Sequence, residues 1–203
     1  DIKKNGDVAL IKYEKKFSNF KNISLGKIKF TQVEKNTIIK KLDKKIKFSI
    51  DLAYNRIFNF HKKQKLSSFS FSDRFKNTFS YKSNAINKVG VYVPGGLASY
   101  PSSVLMNCIP AIVAGVKNIY MTTPTMNGHY NPAVIYAAKK CKVKEIYKIG
   151  GAQAIAAMAY GTKTVNKVDK IVGPGNAYVA SAKKQVFGDV GIDMIAGPSE
   201  VTI

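Results

Sequence analysis

The chain has 203 residues, 45% of them apolar, enough for a real core in one or two domains. Its formal charge of +21 invites a nucleic-acid reading. The basic residues are almost all lysine, however, with Arg56 and Arg74 as the arginines, and no aromatic-studded RNA motif accompanies them. The expectation is therefore a solvated lysine surface with no nucleic-acid partner. That surface is concentrated in residues 1–88, which carry a net +15, against +6 for residues 89–203. Cys108 and Cys141 lack CxxC spacing, which speaks against a structural disulfide and for a reducing, cytoplasmic setting. The most apolar stretch, Val104 to Val116, is interrupted by Asn107 and Pro110 and is too short to span a bilayer, so no membrane partner is expected. Asp1 is no initiator, and Ile203 closes what reads as an unfinished apolar strand. Both ends are expected to be those of a fragment.

In chain order, Asp7 to Phe17 has the spacing of a short amphipathic helix, and Ile28 to Phe30 of a short strand. Thr31-Gln32-Val33-Glu34 is a capping box, in which hydroxyl and carboxylate satisfy free helix amides. Ile38, Leu42, Ile46, Ile50, Ala53, Ile57 and Phe60 then recur every three or four residues, predicting one long helix with a lysine-rich back. Ser67 to Lys88 is polar and aromatic; Phe69, Phe71 and Phe79 suggest short strands or an irregular connector.

The character changes at Val89. Apolar runs at 89–93, 118–122, 145–149, 170–172 and 192–196 alternate with helical segments at about 102–114, 132–141, 152–160 and 177–187. Strand and helix alternating at this interval predict an α/β fold, a parallel sheet with helices on both faces, preceded by an N-terminal helical region.

Ligands of parallel sheets sit beyond the carboxyl ends of the strands. The candidate loops are Tyr92-Val93-Pro94-Gly95-Gly96, Gly150-Gly151-Ala152-Gln153, Gly173-Pro174-Gly175-Asn176 and Gly197-Pro198-Ser199-Glu200. Each places glycine beside a polar or aromatic side chain, so backbone amides can approach a phosphate-bearing or dinucleotide ligand. The usual GxGxxG fingerprint fails: Pro174 and Tyr178 break it, although Asp193 stands at the acidic position about twenty residues on. Taken singly, each residue has a plainer reading. Tyr92 can be a packing residue at a strand end, and Gln153, Asn176 and Ser199 can all be helix caps. His61 and His129 have no partner at motif spacing and read as surface histidines. The residues contain no HExxH, Walker loop, serine elbow or zinc cluster.

Val89-Gly90-Val91-Tyr92-Val93-Pro94-Gly95-Gly96, residues 151–157 (GAQAIAA), 167–176 (KVDKIVGPGN) and 192–201 (IDMIAGPSEV) resemble, in order, the histidinol dehydrogenase family. Residues 5–10 (NGDVAL) resemble that family's N-terminal helix. The resemblance implies a Rossmann-like domain over residues 89–198, with 1–88 belonging to an incomplete first domain and 199–203 starting the return into it. It implies an NAD-dependent, zinc-requiring oxidation of L-histidinol through the aldehyde to L-histidine, in a homodimer. By motif match, Tyr92, Gln153 and Asn176 would contact NAD and Ser199 the substrate. The family's zinc ligands and acid/base pair match nothing here and are expected beyond Ile203, so the chain by itself is expected to be inactive. Two other readings stay open: a related dehydrogenase acting on another amino or sulfonated alcohol, and a basic nucleic-acid-binding module.

Overall fold

A computed structural model of the chain describes residues 1–18, 23–95, 100–125 and 130–195. The first helix, α1 (Ile2–Phe17), starts before the amphipathic segment predicted at Asp7, because two helical pieces meet at Gly6. Gly6 takes φ +52°, a left-handed value that glycine adopts without steric cost. One face of α1 buries Ala9, Leu10 and Glu14; the opposite face carries the lysines.

After a 3₁₀ turn at Leu25–Lys27, Ile28 to Phe30 makes one antiparallel bridge, Lys29 to Tyr147, in place of a full strand. The predicted capping box opens α2 (Gln32–Lys40): Thr31 Oγ1 accepts from the Glu34 amide at 3.1 Å, and Glu34 Oε2 accepts from the Thr31 amide at 2.7 Å. The single long helix expected next is two. α2 stops at Lys40 and α3 runs Lys44–Lys62, with Asp43 Oδ1 accepting from the Lys45 amide at 2.6 Å. A carboxylate that satisfies a free amide competes with helix continuation, and the apolar spacing runs on across the break without revealing it. Its stripe is not all buried: Ile46 and Phe60 are 45% and 63% exposed.

The connector forms an antiparallel hairpin, β1 (Phe69–Ser72) and β2 (Thr78–Tyr81), closed by Asp73, whose carboxylate accepts from the Phe75 and Asn77 amides. From Lys88 onward the α/β fold is as predicted, except that the last strand, expected at 192–196, is only Gly191–Ile192. The elements are β3 (Lys88–Tyr92), α4 (Pro101–Ala114), β4 (Asn118–Thr122), α5 (Pro132–Lys140), β5 (Glu145–Tyr147), α6 (Gly151–Tyr160), β6 (Lys170–Val172), α7 (Ala177–Val186) and β7 (Gly191–Ile192). The five strands are parallel, in the order β5-β4-β3-β6-β7. Strand alternation sends Val89, Val91, Ile119 and Met121 to a core shared with α2 to α5, and Tyr92, Tyr120, Tyr147 and Ile171 to a core shared with α1, α6 and α7. The N-terminal helices thus cover both faces of the sheet: α1 packs on α6, and α3 on α4 and α5.

Cys108 and Cys141 are free and buried. Among the described residues no helix is long and apolar enough to cross a membrane. Asp43→Ala should lower stability by about 1 kcal/mol, the usual cost of an N-cap, while Asp43→Asn keeps most of it; urea unfolding of the two variants measures the difference.

Candidate functional site

The strand order reverses between β3 and β6, because the chain winds outward from β3 through β4 to β5 and returns to β6. Open α/β sheets take their ligands in the crevice at the carboxyl edge of such a reversal. The glycines there do more than free the backbone for a ligand: they let successive loops touch. A Cβ on Gly95 would lie 2.8 Å from Pro124 Cγ, and one on Gly150 would lie 2.5 Å from Pro124 Cβ. Gly173, at φ +115°, packs directly on the carbonyl of Tyr92, leaving no room for a side chain.

Tyr92 ends the central strand and touches both sides of the crevice. Its backbone meets Gly173, and its hydroxyl accepts from the Gly151 amide at 3.1 Å. It is more buried than its packing reading required, at 4% exposure. Burial pushes its phenol above the ordinary value, with Glu14 adding to the rise and the Gly151 amide opposing it.

Gln153 is buried as well. Its Nε2 donates to Glu14 Oε1 at 2.8 Å, and the Gly150 amide donates to the same oxygen at 3.0 Å. Glu14 arrives from α1 with 1% exposure, and its Oε2 lies 2.7 Å from Ser18 Oγ. Ser18 Oγ also lies 2.6 Å from the Glu14 carbonyl. The hydroxyl is shared between the two, while Glu14 Oε1 takes both N–H groups. Burial raises the Glu14 pKa above its ordinary value, against the pull of Ser18, Gly150 and Gln153. The first turn of α6 therefore has two amides occupied, Gly150 by the Glu14 carboxyl and Gly151 by the Tyr92 hydroxyl.

Across the crevice the Gly173–Asn176 turn opens α7. Asn176 is exposed and caps the helix, its Oδ1 accepting from the Val179 amide at 3.1 Å. Lys183, one of the few buried lysines, donates to the Gly173 carbonyl and at 2.8 Å to Asp193 Oδ1; Asp193 Oδ2 accepts from the Gly173 amide at 2.8 Å. Burial works to raise the Asp193 pKa, but Lys183 and the amides of Met194 and Gly173 together hold it below the ordinary value. The acidic residue twenty positions after the glycine turn thus grips that turn itself.

Ser199, with the rest of the Gly197–Glu200 turn, lies outside the described residues, as do Gly96 and His129. His61 pairs with Gln64 through Nδ1 at 2.7 Å, and the described residues contain no group of three His, Cys, Asp or Glu able to hold a metal. At the β4 end, the buried hydroxyls of Thr122 and Thr125 have no partner among the described residues.

Set against known proteins, all of residues 1–203 match the family model described as histidinol dehydrogenase. The chain belongs to the histidinol dehydrogenase family. It is 61% identical over 204 residues to the histidinol dehydrogenase of Pelagibacter ubique and 50% identical over 203 residues to that of Rhodospirillum rubrum, covering 100% of this chain and 46% of each relative. A crystal structure of histidinol dehydrogenase from Elizabethkingia anophelis superposes with a TM-score of 0.92 at 41% identity, over 98% of this chain and 46% of the other. The chain spans about half the length of these histidinol dehydrogenases.

Reading the sequence brought Tyr92 and Gln153 to one network and Asn176 to the facing turn. It missed Glu14 and Lys183. Glu14 stood in a lysine-rich helix, and only its place on the apolar face of α1, four residues after Leu10, hinted at burial. Two outcomes follow. Gly173→Ala should destabilise the protein by about 1–3 kcal/mol, from the positive φ and the clash with the Tyr92 carbonyl, as read by thermal unfolding. For Glu14 the sign runs from its raised folded-state pKa. Native stability falls as pH rises from the ordinary value of 4.5 through that pKa, then levels off. The stability advantage of Glu14→Gln over the native protein should grow across that window and then stay constant, as measured by denaturant titrations at stepped pH.

Proposed function

We propose that the chain is the nucleotide-binding portion of an NAD-dependent, zinc-requiring enzyme that oxidises L-histidinol through the aldehyde to L-histidine, the last step of histidine biosynthesis. Membership of the histidinol dehydrogenase family along the whole of residues 1–203 is the observation that carries this reading. The geometry of the carboxyl edge adds support, since the residues there suit a dinucleotide. At α6 the Gly150 and Gly151 amides are taken by Glu14 and Tyr92, and at the facing turn the Gly173 and Val179 amides by Asp193 and Asn176; the exposed start of α7 still offers partial positive charge to an anion beside Asn176. On this reading Tyr92 and Gln153 hold one side of NAD and Asn176 the other, while Ser199 touches the substrate. Bound there, NAD would supply the acceptor for hydride.

Zinc has no set of ligands among the described residues. In the proposed enzyme its ligands and the acid/base pair lie outside this chain, which by itself would not turn over. The exposed aromatics of the hairpin, Phe69, Phe71, Phe79 and Tyr81, support the homodimer, and the buried free thiols support a reducing, cytoplasmic setting.

The full-length protein, supplied with NAD and zinc, should oxidise L-histidinol. Turnover of another amino or sulfonated alcohol with none of histidinol would reassign the substrate, and absence of NAD binding would reject the cofactor. Asn176→Ser keeps a capping oxygen but loses the carboxamide. It should weaken NAD binding about tenfold in calorimetry with little change in melting temperature.

A further inference from the structure

Gln153 does not stand free beside the crevice. Its Nε2 is held by Glu14, and its Oε1 folds back over Gly151, where a Cβ would come within 2.9 Å of it. The carboxamide has two donors and one oxygen, and Glu14 takes up one of the donors, so the carboxyl decides which way the amide is turned. The same oxygen of Glu14 takes the Gly150 amide, so a single atom on α1 ties the side chain of Gln153 to the backbone of its own loop. The contact reaches across 139 residues of sequence, and no ion pair among the described residues involves Glu14. The titratable group facing it from the sheet is Tyr92, whose hydroxyl holds the next amide, that of Gly151.

We propose that Glu14 is a positioning residue for nucleotide binding: from α1 it orients the Gln153 carboxamide and clamps the Gly150–Gly151 turn, presetting the α6 side of the crevice. This rests on the reading of Gln153 as an NAD contact. Glu14 itself does not touch the nucleotide; its two Oε1 hydrogen bonds place the group that does. A side chain fixed before binding spares the nucleotide the cost of ordering it, and so shows up in affinity.

The test is a double-mutant cycle in the full-length protein, with NAD dissociation constants from calorimetry and melting temperatures as the check on folding. Gln153→Ala should weaken NAD about tenfold, and Glu14→Ala should do nearly the same. The double variant should be no more than about twofold weaker than Gln153→Ala alone, because Glu14 then has nothing left to position. Glu14→Gln, which offers one acceptor oxygen to the two N–H groups and an amide donor to Ser18, should recover most of the loss. If Glu14→Ala does not fold, Glu14→Asp takes its place, since a carboxyl one methylene shorter should not reach Gln153 and should show the same coupling. Unchanged NAD affinity in Glu14→Ala (or in Glu14→Asp where that takes its place), or a loss equally large with and without the Gln153 side chain, would overturn the proposal while leaving the cofactor reading intact. Unchanged affinity in Gln153→Ala would overturn both.

Discussion

The carboxyl edge depends on one contact, that of the Gly173 backbone against the carbonyl of Tyr92. β3 and β6 are neighbours because the chain returns from the far edge of the sheet, and the parallel ladder that holds them together ends at Val91 and Val172, before the loops begin. Close packing holds the loops: a residue with a Cβ at 173 would push the α7 turn away from the end of β3. Once the two backbones touch, the Tyr92 hydroxyl falls beneath the Gly151 amide, and the three loops are tied to one side chain. Lys183 and Asp193 then brace the Gly173 turn from the other side, satisfying both its carbonyl and its amide. A buried charge is costly unless paired and hydrogen-bonded, and buried Lys183 has both in the more exposed Asp193 and the Gly173 carbonyl.

The strands and helices beyond Lys88 were legible because their signals are local. Apolar runs of three to five residues, proline at the first turn of α4 and α5, and Asn131 and Asn176 as caps all act within a few residues of the element they define. The α2 capping box was readable for the same reason. The break before α3 was not, since the apolar period continues across it and one carboxylate at Asp43 decides the matter. Gly6 failed in the other direction: a glycine that would end most helices joins two pieces here.

The site was legible in its loops and illegible in its supports. Glycine-rich turns at strand ends are a sequence signature, and Tyr92, Gln153 and Asn176 stand beside them. Glu14 and Lys183 are ordinary members of charged helices until the fold turns them inward, and their partners lie 139 and 10 residues away. Asp193 accords with the failure of the GxGxxG fingerprint. Its position matched the acidic residue of the ribose-binding fingerprint, yet its carboxylate is spent on the Gly173 amide and Lys183. Spacing alone could not say which way the side chain would face.

These supports change how the N-terminal helices are understood. α1 could have been an appendage that merely covers apolar surface, with Leu10 contributing about 1.5–3 kcal/mol through burial. Glu14 makes it part of the crevice. A buried carboxyl without a cation is an expensive way to fill space, and an apolar residue would pack the same volume at lower cost. What an apolar residue cannot do is accept two N–H groups from a loop that has no other partner for them among the described residues. The cost is therefore tied to the Gly150–Gln153 turn, which the helix supports through two hydrogen bonds.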